Sequence, residues 1–226
     1  MKDIIDEEQR ITAMKQYEME GYSQGYRLIA GIDEVGRGPL AGPVAAAAVI
    51  LPPDFFMAGI DDSKKLTAKK REELSNSIKK TALAWAVSFV YPPLLDELNI
   101  YRATQAAMKA AIFSLNHKPD LLLIDAVKLN DINIEQRNII KGDSLSISIA
   151  CASIIAKVER DMAMENYDLL FPGYDFARHK GYATKKHLEA IFAKGPCLLH
   201  RKSFEPIKSM LDGGELGAAQ QPSLFK

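Results

Sequence analysis

Four acidic residues lie where the sequence predicts that strands or helices begin or end. They are Asp33 and Glu34 in GIDEVGRGPLAGP, Asp125 in DLLLIDAV and Asp143 in IIKGDSLS. Carboxylates that converge from separate elements repel one another, so they need protons or a cation to stay together. Oxygen ligands without His or Cys companions favour Mg²⁺ or Mn²⁺, and two such ions about 3.5–4 Å apart can hydrolyse a phosphodiester. Each acid also has a structural interpretation, as a turn former, strand cap or helix-cap neighbour, so these residues alone indicate a metal enzyme without establishing one.

Asp33 and Glu34 are adjacent, which raises a geometric problem. Successive side chains of a strand point to opposite faces, so both carboxylates cannot enter one pocket from a regular strand. Either the strand ends or bulges there, or Glu34 offers its backbone carbonyl. The glycines at 36, 38 and 42 permit turns and bulges, and the sequence leaves both routes open.

The bulk composition is that of one globular domain: 226 residues, 47% hydrophobic and 26% charged. Cys151 and Cys197 lie far apart, which argues against a zinc ribbon or a disulfide framework. The start, MKDIIDEEQR, lacks the apolar core of a secretory signal, and the longest apolar run, Val44–Leu51, is too short to span a bilayer. We therefore expect a soluble, cytoplasmic monomer.

The charges balance overall, at 29 basic and 29 acidic residues, but they are unevenly distributed. Residues 177–208 carry eight Lys or Arg and two Glu, a net charge of +6. This stripe fits a surface that follows phosphates and equally a solvated helical face.

Hydrophobic periodicity predicts a mixed sheet with helices packed around it, the α/β class. The predicted strands are Arg27–Asp33, Val44–Leu51, Ala84–Tyr91, Asp120–Val127 and a short Arg137–Lys141. The predicted helices are 3–20 (with Ile4, Ile11 and Met14 on one face), Thr67–Lys80 (with Thr67 as N-cap), Leu94–Leu115, Ile147–Leu170, Thr184–Lys194 (with Leu188, Ile191 and Phe192 inside) and 205–211. We divide the chain into an N-terminal helical extension (1–26), a main domain (27–211) and a flexible tail (212–226).

Six motifs in order resemble those of the bacterial ribonuclease HII family, the type 2 ribonucleases H. They are GIDEVGRGPLAGPV, DSKKL (62–66), LLIDA (122–126), KGDS (141–144), IACASIIAKVERD (149–161) and HKGYATKKH (179–187). The resemblance implies a ribonuclease H-like mixed α/β fold with a helical C-terminal part. It also implies an endonuclease that cleaves the RNA strand of RNA–DNA hybrids and cuts 5′ of single ribonucleotides in duplex DNA, leaving 3′-OH and 5′-phosphate ends. The resemblance implies that the catalytic residues, which bind two Mg²⁺ or Mn²⁺ ions, are Asp33, Glu34, Asp125 and Asp143.

The resemblance further assigns Gly36, Arg37, Gly38 and Tyr182 to recognition of the ribonucleotide at the junction. Backbone without side chains can approach a sugar closely enough to read its 2′-OH. Candidate phosphate contacts, which position a duplex without reading its sequence, are Ser63, Lys64, Lys65, Arg178, Lys180, Thr184 and Lys185. We interpret His179 and His187 as phosphate contacts or a polar rim rather than metal ligands, and Lys157, Arg160 and Asp161 as surface charges or structural pairs.

The tail sequence QPSLF resembles the bacterial sliding-clamp-binding peptide, with Gln221, Ser223, Leu224 and Phe225 as the contact residues. Docking of the tail on its own domain is the alternative. Two other functions are alternatives to the ribonuclease HII hypothesis. A type 3 ribonuclease H characteristically has Gly-Thr-Gly where this chain has Gly36-Arg37-Gly38, and an extra N-terminal domain. A non-catalytic nucleic-acid-binding module would gain nothing from clustered acids beside phosphate.

Overall fold

The computed structural model describes the backbone of residues 2–213 and the side chains of residues 6–213. Its centre is one five-stranded sheet made of β1 (Ile29–Val35), β2 (Val44–Ile50), β3 (Ala84–Val90), β4 (Leu121–Asp125) and β5 (Glu135–Ile139). The strand order is β3-β2-β1-β4-β5. β1 and β3 each pair antiparallel with β2, whereas β4 pairs parallel with both β1 and β5. The predicted mixed α/β sheet is confirmed, and the fifth strand begins two residues earlier than predicted.

Ten helices surround this sheet in the described part of the chain. They are α1 (Lys2–Ala13), α2 (Gln16–Ser23), α3 (Ala68–Thr81), α4 (Leu94–Leu98), α5 (Ile100–Phe113), α6 (Gly142–Leu145), α7 (Ile147–Leu170), α8 (Phe176–His179), α9 (Lys185–Lys194) and α10 (Ile207–Leu211). As predicted, Thr67 is the N-cap of α3, because its side chain accepts a hydrogen bond from the Lys70 N–H. Over the described residues, none of these helices has the length and apolar character needed to cross a bilayer.

Two predicted helices are each divided into two. The predicted helix 3–20 is interrupted at Met14 and Lys15, between α1 and α2. The predicted helix 94–115 breaks at Asn99, whose φ of 65° lies in the left-handed region. Asn tolerates that region better than most residues, and the Asn99 side chain accepts from the N–H groups of Tyr101 and Arg102 as the N-cap of α5. The hydrophobic period predicted the helical segments but carried no signal for this cap.

Helices cover both faces of the sheet. Successive side chains of a strand point to opposite faces, and in the central strands the side chains on both faces are mostly apolar. α5 packs on one face, in a cluster with Ile32 and Ala46, and α7 packs on the other, in a cluster with Ala47. Gly31 lets α7 come close: a Cβ there would lie 2.1 Å from the Ser148 carbonyl carbon. Helix α7 therefore lies directly behind the end of β1 that carries Asp33.

The N-terminal helices pack onto this body. Ile11 and Met14 are buried in the cluster beneath α7, as predicted, whereas the Ile4 side chain lies outside the described residues. The Glu18 carboxylate accepts from the Ser146 hydroxyl and the Ser148 N–H at the start of α7. The division of the chain at residue 26 remains a prediction, and most of the predicted tail lies beyond the described residues.

Two predictions about burial are wrong. Phe192 is 51% exposed, because α9 buries His187 and Ile191, one turn apart, and Phe192 lies on an adjacent face of the helix. Leu188 is half-buried and Ile191 fully buried, as expected for the inner side. Arg160 is fully buried instead of lying on the surface, whereas Lys157 and Asp161 do form an ion pair, at 2.7 Å.

Candidate active site

The parallel pairing of β1 and β4 brings Asp33, near the end of β1, beside Asp125, the last residue of β4. Ile32 of β1 is paired with Ile124 of β4, so the next residue on each strand is an aspartate. Neighbouring strands are about 4.8 Å apart, and both side chains point to the same face of the sheet. Asp33 is buried and Asp125 is half-buried.

Asp143 reaches the same edge through a sharp turn after β5. Lys141, with a φ of 60°, ends that turn, and α6 begins at Gly142. The Gly142 N–H donates to Asp125 Oδ1 at 2.8 Å, which fixes α6 against β4. Asp143 occupies the first turn of α6, and its Oδ2 lies 3.4 Å from the Lys64 ammonium.

Glu34 continues the regular strand instead of leaving it. β1 keeps its register through Val35, so the strand neither ends nor bulges before Glu34. Asp33 is paired with Ala47 and Glu34 with Ala46, and these alanines pack on opposite faces of the sheet. Arg37 Nη1 donates to Glu34 Oε1 at 3.2 Å, whereas the buried Oε2 has no partner among the described residues.

These four acids, which we call the acidic edge, are electrostatically unfavourable as they stand. Burial, followed by repulsion from Glu34 and Asp125, raises the pKa of Asp33 well above its usual range. Burial also raises the pKa of Glu34, although Arg37 opposes the shift. It raises the pKa of Asp125 too, against a hydrogen bond from Gly142 and with repulsion from Asp143. A cation would relieve all three penalties.

The donor set of the acidic edge fits a hard divalent cation. All its side-chain donors are carboxylate oxygens, the ligands that Mg²⁺ and Mn²⁺ prefer, and the unpartnered Oε2 of Glu34 is a free acceptor. Among the residues whose side chains are described, no three His, Cys, Asp or Glu groups already form an ion-holding cluster.

A glycine-rich corner lies next to the acidic edge. It consists of residues 36–43 and Gly181-Tyr182, above the buried side chains of Arg160 and Arg201. The Leu40 N–H donates to the Gly181 carbonyl at 2.8 Å, and the Arg160 guanidinium carbon lies 5.9 Å from the centre of the Tyr182 ring. The structure thus brings Gly36, Arg37, Gly38 and Tyr182 into one corner. The corner begins at Gly36, three residues after Asp33 in the chain.

The sequence interpretation missed the two arginines beneath this corner. A usable signal existed for Arg160, which lies four residues from both Ala156 and Met164 on the buried face of α7. Arg201 follows α9 in an irregular segment, where no periodicity reports burial.

Most of the candidate phosphate contacts already have partners in the described structure. The buried Ser63 hydroxyl lies 2.9 Å from the Ser153 hydroxyl. Thr184 Oγ1 accepts from the His187 N–H as the N-cap of α9. Lys65 pairs with Asp61, Lys180 with Glu165 and Lys185 with Glu189. Arg178 is exposed, and of the seven candidates Lys64 is the one in contact with the acidic edge.

The interpretation of His179 and His187 as phosphate contacts or a polar rim is wrong, because both are buried. The Cys197 N–H donates to His200 Nδ1 at 2.9 Å, His200 Nε2 lies 3.1 Å from His187 Nε2, and His187 Nδ1 lies 2.8 Å from the Tyr182 carbonyl. Burial lowers the pKa of His187 to about 3 and that of His200 to about 4. These neutral rings form a hydrogen-bonded chain that holds the backbone of Tyr182.

Comparison with known proteins agrees with this geometry. The family model described as Ribonuclease HII matches residues 30–207. A ribonuclease HII of Syntrophomonas wolfei subsp. wolfei is 58% identical over the whole chain and 88% of its own length, and one of Acetivibrio thermocellus is 55% identical over 86% of this chain and 76% of its own.

Solved structures give the same fold. The ribonuclease H2 of Pyrococcus horikoshii OT3 has a TM-score of 0.70 at 23% identity, covering 82% of this chain and 98% of its own. The ribonuclease HII in the PCNA complex from Archaeoglobus fulgidus has a TM-score of 0.66 at 26% identity, covering 83% and 100%. The family model and both relatives carry the type 2 description, which decides against the type 3 and the non-catalytic alternatives. The chain belongs to the ribonuclease HII family, hydrolytic endoribonucleases that act on the RNA strand of RNA–DNA hybrids.

Proposed function

We propose that this enzyme also cuts on the 5′ side of single ribonucleotides embedded in duplex DNA, with two divalent metal ions, leaving 3′-OH and 5′-phosphate ends. The observation that carries the proposal is the adjacency of the acidic edge and the glycine-rich corner on β1 and the segment after it. We expect a phosphodiester held beside Asp33 to bring its neighbouring sugar to the glycine-rich corner, which begins three residues further along the chain at Gly36 and includes Tyr182.

The metal part of the proposal rests on the acidic edge. Asp33, Asp125 and Asp143 would hold the ions through their carboxylates. Glu34 would contribute through its backbone carbonyl, because its side chain leaves the opposite face of the strand, or through its free Oε2 after rearrangement. Bound Mg²⁺ or Mn²⁺ would supply an activated water and stabilise the leaving oxygen. Lys64, paired with Asp143, would release that carboxylate when an ion arrives.

The recognition part rests on the glycine-rich corner. The space around Gly38 is open and no atom lies where its Cβ would be, so its backbone is accessible to a sugar. The Tyr182 side chain is exposed, and it offers a ring to pack on the sugar and a hydroxyl for a hydrogen bond. Arg178 is an exposed candidate for phosphate contact, and Lys64 would become available once an ion replaces it at Asp143. Ser63, Lys65, Lys180, Thr184 and Lys185 would have to exchange the partners they have in this structure.

The test is incubation with a DNA duplex that contains one ribonucleotide, with and without Mg²⁺, followed by mapping of the cut. We expect a single Mg²⁺-dependent cut at the 5′ phosphate of the ribonucleotide and no cut in a matched all-DNA duplex. Cleavage of a full RNA–DNA hybrid without any cut at the single ribonucleotide would contradict this part of the proposal and leave the family assignment intact.

We also propose that the C-terminal peptide binds the DNA sliding clamp. Gln221, Ser223, Leu224 and Phe225 lie outside the described residues, so the proposal rests on their sequence and on the archaeal relative that was solved in complex with PCNA. Deletion of residues 220–226 should abolish clamp binding in a titration and leave cleavage of a short duplex unchanged. Clamp affinity equal to that of the full chain would overturn it. The monomeric state and the cytoplasmic location remain proposals of the same kind.

A further inference from the structure

Arg201 is a fully buried arginine whose hydrogen bonds all go to backbone carbonyls of the glycine-rich corner. Its Nη2 donates to the Gly36 carbonyl, its Nη1 to the Arg37 carbonyl at 2.8 Å and its Nε to the Gly42 carbonyl at 3.0 Å. A guanidinium offers its donors in a rigid planar fork. Three carbonyls are therefore held in a fixed arrangement by one side chain.

Arg160 holds the far end of the same segment. Its Nε donates to the Pro43 carbonyl at 2.9 Å and its Nη2 to the Ala41 carbonyl at 3.3 Å. It also lies beneath the Tyr182 ring. Gly36, with a φ of 89°, leaves room for it: a Cβ there would lie 2.1 Å from Arg160 Nε. The two arginines together hold five carbonyls between residues 36 and 43.

These contacts set the direction of two backbone donors. In a trans peptide group the N–H points opposite to the C=O, and neither of the peptide bonds between residues 36 and 38 is cis. Because Arg201 binds the Gly36 and Arg37 carbonyls from the interior, the N–H groups of Arg37 and Gly38 point outward. Neither N–H has a hydrogen-bond acceptor among the described residues.

The charge behind these donors is balanced by backbone carbonyls and by more distant acids, Asp96 for Arg201 and Asp161 for Arg160, rather than by a contacting carboxylate. Neither Arg160 nor Arg201 forms an ion pair within the described structure, and Arg160 Nη1 is buried without a partner. Burial lowers the pKa of Arg201 to about 9, which leaves it protonated at neutral pH. Two buried positive charges raise the potential at the outward N–H pair and favour an electronegative oxygen there.

We propose that Arg201, assisted by Arg160, is a positioning residue that presents the Arg37 and Gly38 N–H groups to the oxygens of the bound ribonucleotide. The inference rests on the proposed recognition of single ribonucleotides. It assigns the arginines a role in selectivity, whereas cleavage chemistry stays with the acidic edge.

The test compares the affinities of wild type and Arg201→Lys for a duplex with one ribonucleotide and for the same duplex in all-DNA form, without divalent ions. Lysine keeps the charge but cannot replace the planar fork. We expect the ratio of the two affinities to fall about tenfold, the effect of one or two lost hydrogen bonds between neutral groups, while all-DNA affinity stays within about twofold. The control is Met108→Ala, a buried site across the sheet that loses stability without contacting the corner.

Two further measurements keep the inference falsifiable if Arg201→Lys does not fold. Arg160→Gln should show a smaller loss of the same ratio. In the wild type, the amide NMR signals of Arg37 and Gly38 should shift with the ribonucleotide duplex and not with the all-DNA duplex. An unchanged ratio in a folded variant, an equal loss in Met108→Ala, or unshifted amides would overturn the inference. A wild type without any preference for the ribonucleotide duplex would overturn the proposed recognition as well.

Discussion

The acidic edge and the glycine-rich corner lie side by side, yet their electrostatics are opposite. At the acidic edge, burial and repulsion raise the pKa values of Asp33, Glu34 and Asp125, and Glu34 Oε2 has no partner among the described residues. The glycine-rich corner places two buried cations against backbone carbonyls and fixes Tyr182 through a chain of neutral histidines. On our proposal a cation completes the first region, whereas hydrogen bonds already hold the backbone of the second in this structure. Our proposals thus separate a preformed recognition region from a reactive centre that would assemble with the ions.

The largest expected effect is at the acidic edge. Asp125→Asn should reduce cleavage at least about a thousandfold, because a neutral amide holds a divalent ion far less well than a carboxylate. Duplex affinity should remain within about twofold, since the glycine-rich corner is untouched. Single-turnover cleavage and a binding titration measure the two quantities. The matched control is Asp131→Asn, an exposed aspartate paired with Lys109, and cleavage by Asp125→Asn within about tenfold of wild type would refute the metal assignment.

The next largest effect is expected on the free energy of unfolding, from two substitutions inside the glycine-rich corner. Gly36→Ala should lower the free energy of unfolding by about 2–4 kcal/mol, because its φ is positive and its Cβ would overlap Arg160. Gly38→Ala should change it by less than about 1 kcal/mol, since that Cβ meets no atom. Chemical denaturation measures both. Equal destabilisation by the two alanines would show that the corner is not held as described, and a loss of cleavage in stable Gly38→Ala would report obstruction of the sugar.

A smaller, pH-dependent effect should come from the histidine chain. The unfolded histidines titrate near 6.5, whereas the pKa values of folded His187 and His200 are about 3 and 4. Their stabilising contribution is therefore present above pH 6.5 and is lost as the pH falls from 6.5 toward 4, by at most about 1 kcal/mol per pH unit for each ring. The groups packed around them are His179, Tyr174, Phe176 and Cys197.

The comparison that isolates this effect is wild type against His200→Gln, because acids with raised pKa values change stability in the opposite direction and cancel in the difference. The variant should lose less stability between pH 7 and pH 5 than the wild type. His117→Asn, at an exposed histidine, should behave like the wild type. Identical pH dependence in His200→Gln would contradict the neutral, buried chain.

The sequence predicted the acidic edge better than the glycine-rich corner. Asp33 and Asp125 follow strongly apolar segments, which marked them as candidate site residues, but the hydrophobic pattern carried no signal that β1 and β4 pair in parallel. The convergence of all four acids was implied only by the resemblance to the ribonuclease HII motifs. Arg160 and Arg201 escaped prediction because charged residues normally lie on the surface, and their burial depends on carbonyls supplied by a loop more than a hundred residues away. The break at Asn99 and the exposure of Phe192 were also not predicted. Hydrophobic periodicity averages over several turns, so it does not report a single capping residue or the exact face on which one side chain lies.

The most direct test of the central claim is to count the Mn²⁺ ions bound by the enzyme in complex with a non-hydrolysable ribonucleotide duplex, by electron paramagnetic resonance titration. We expect about two ions per complex and fewer in both Asp33→Asn and Asp125→Asn, with duplex affinity retained. A wild-type complex that binds no Mn²⁺, or variants that bind as many ions as the wild type, would contradict the assignment of the acidic edge as the metal centre.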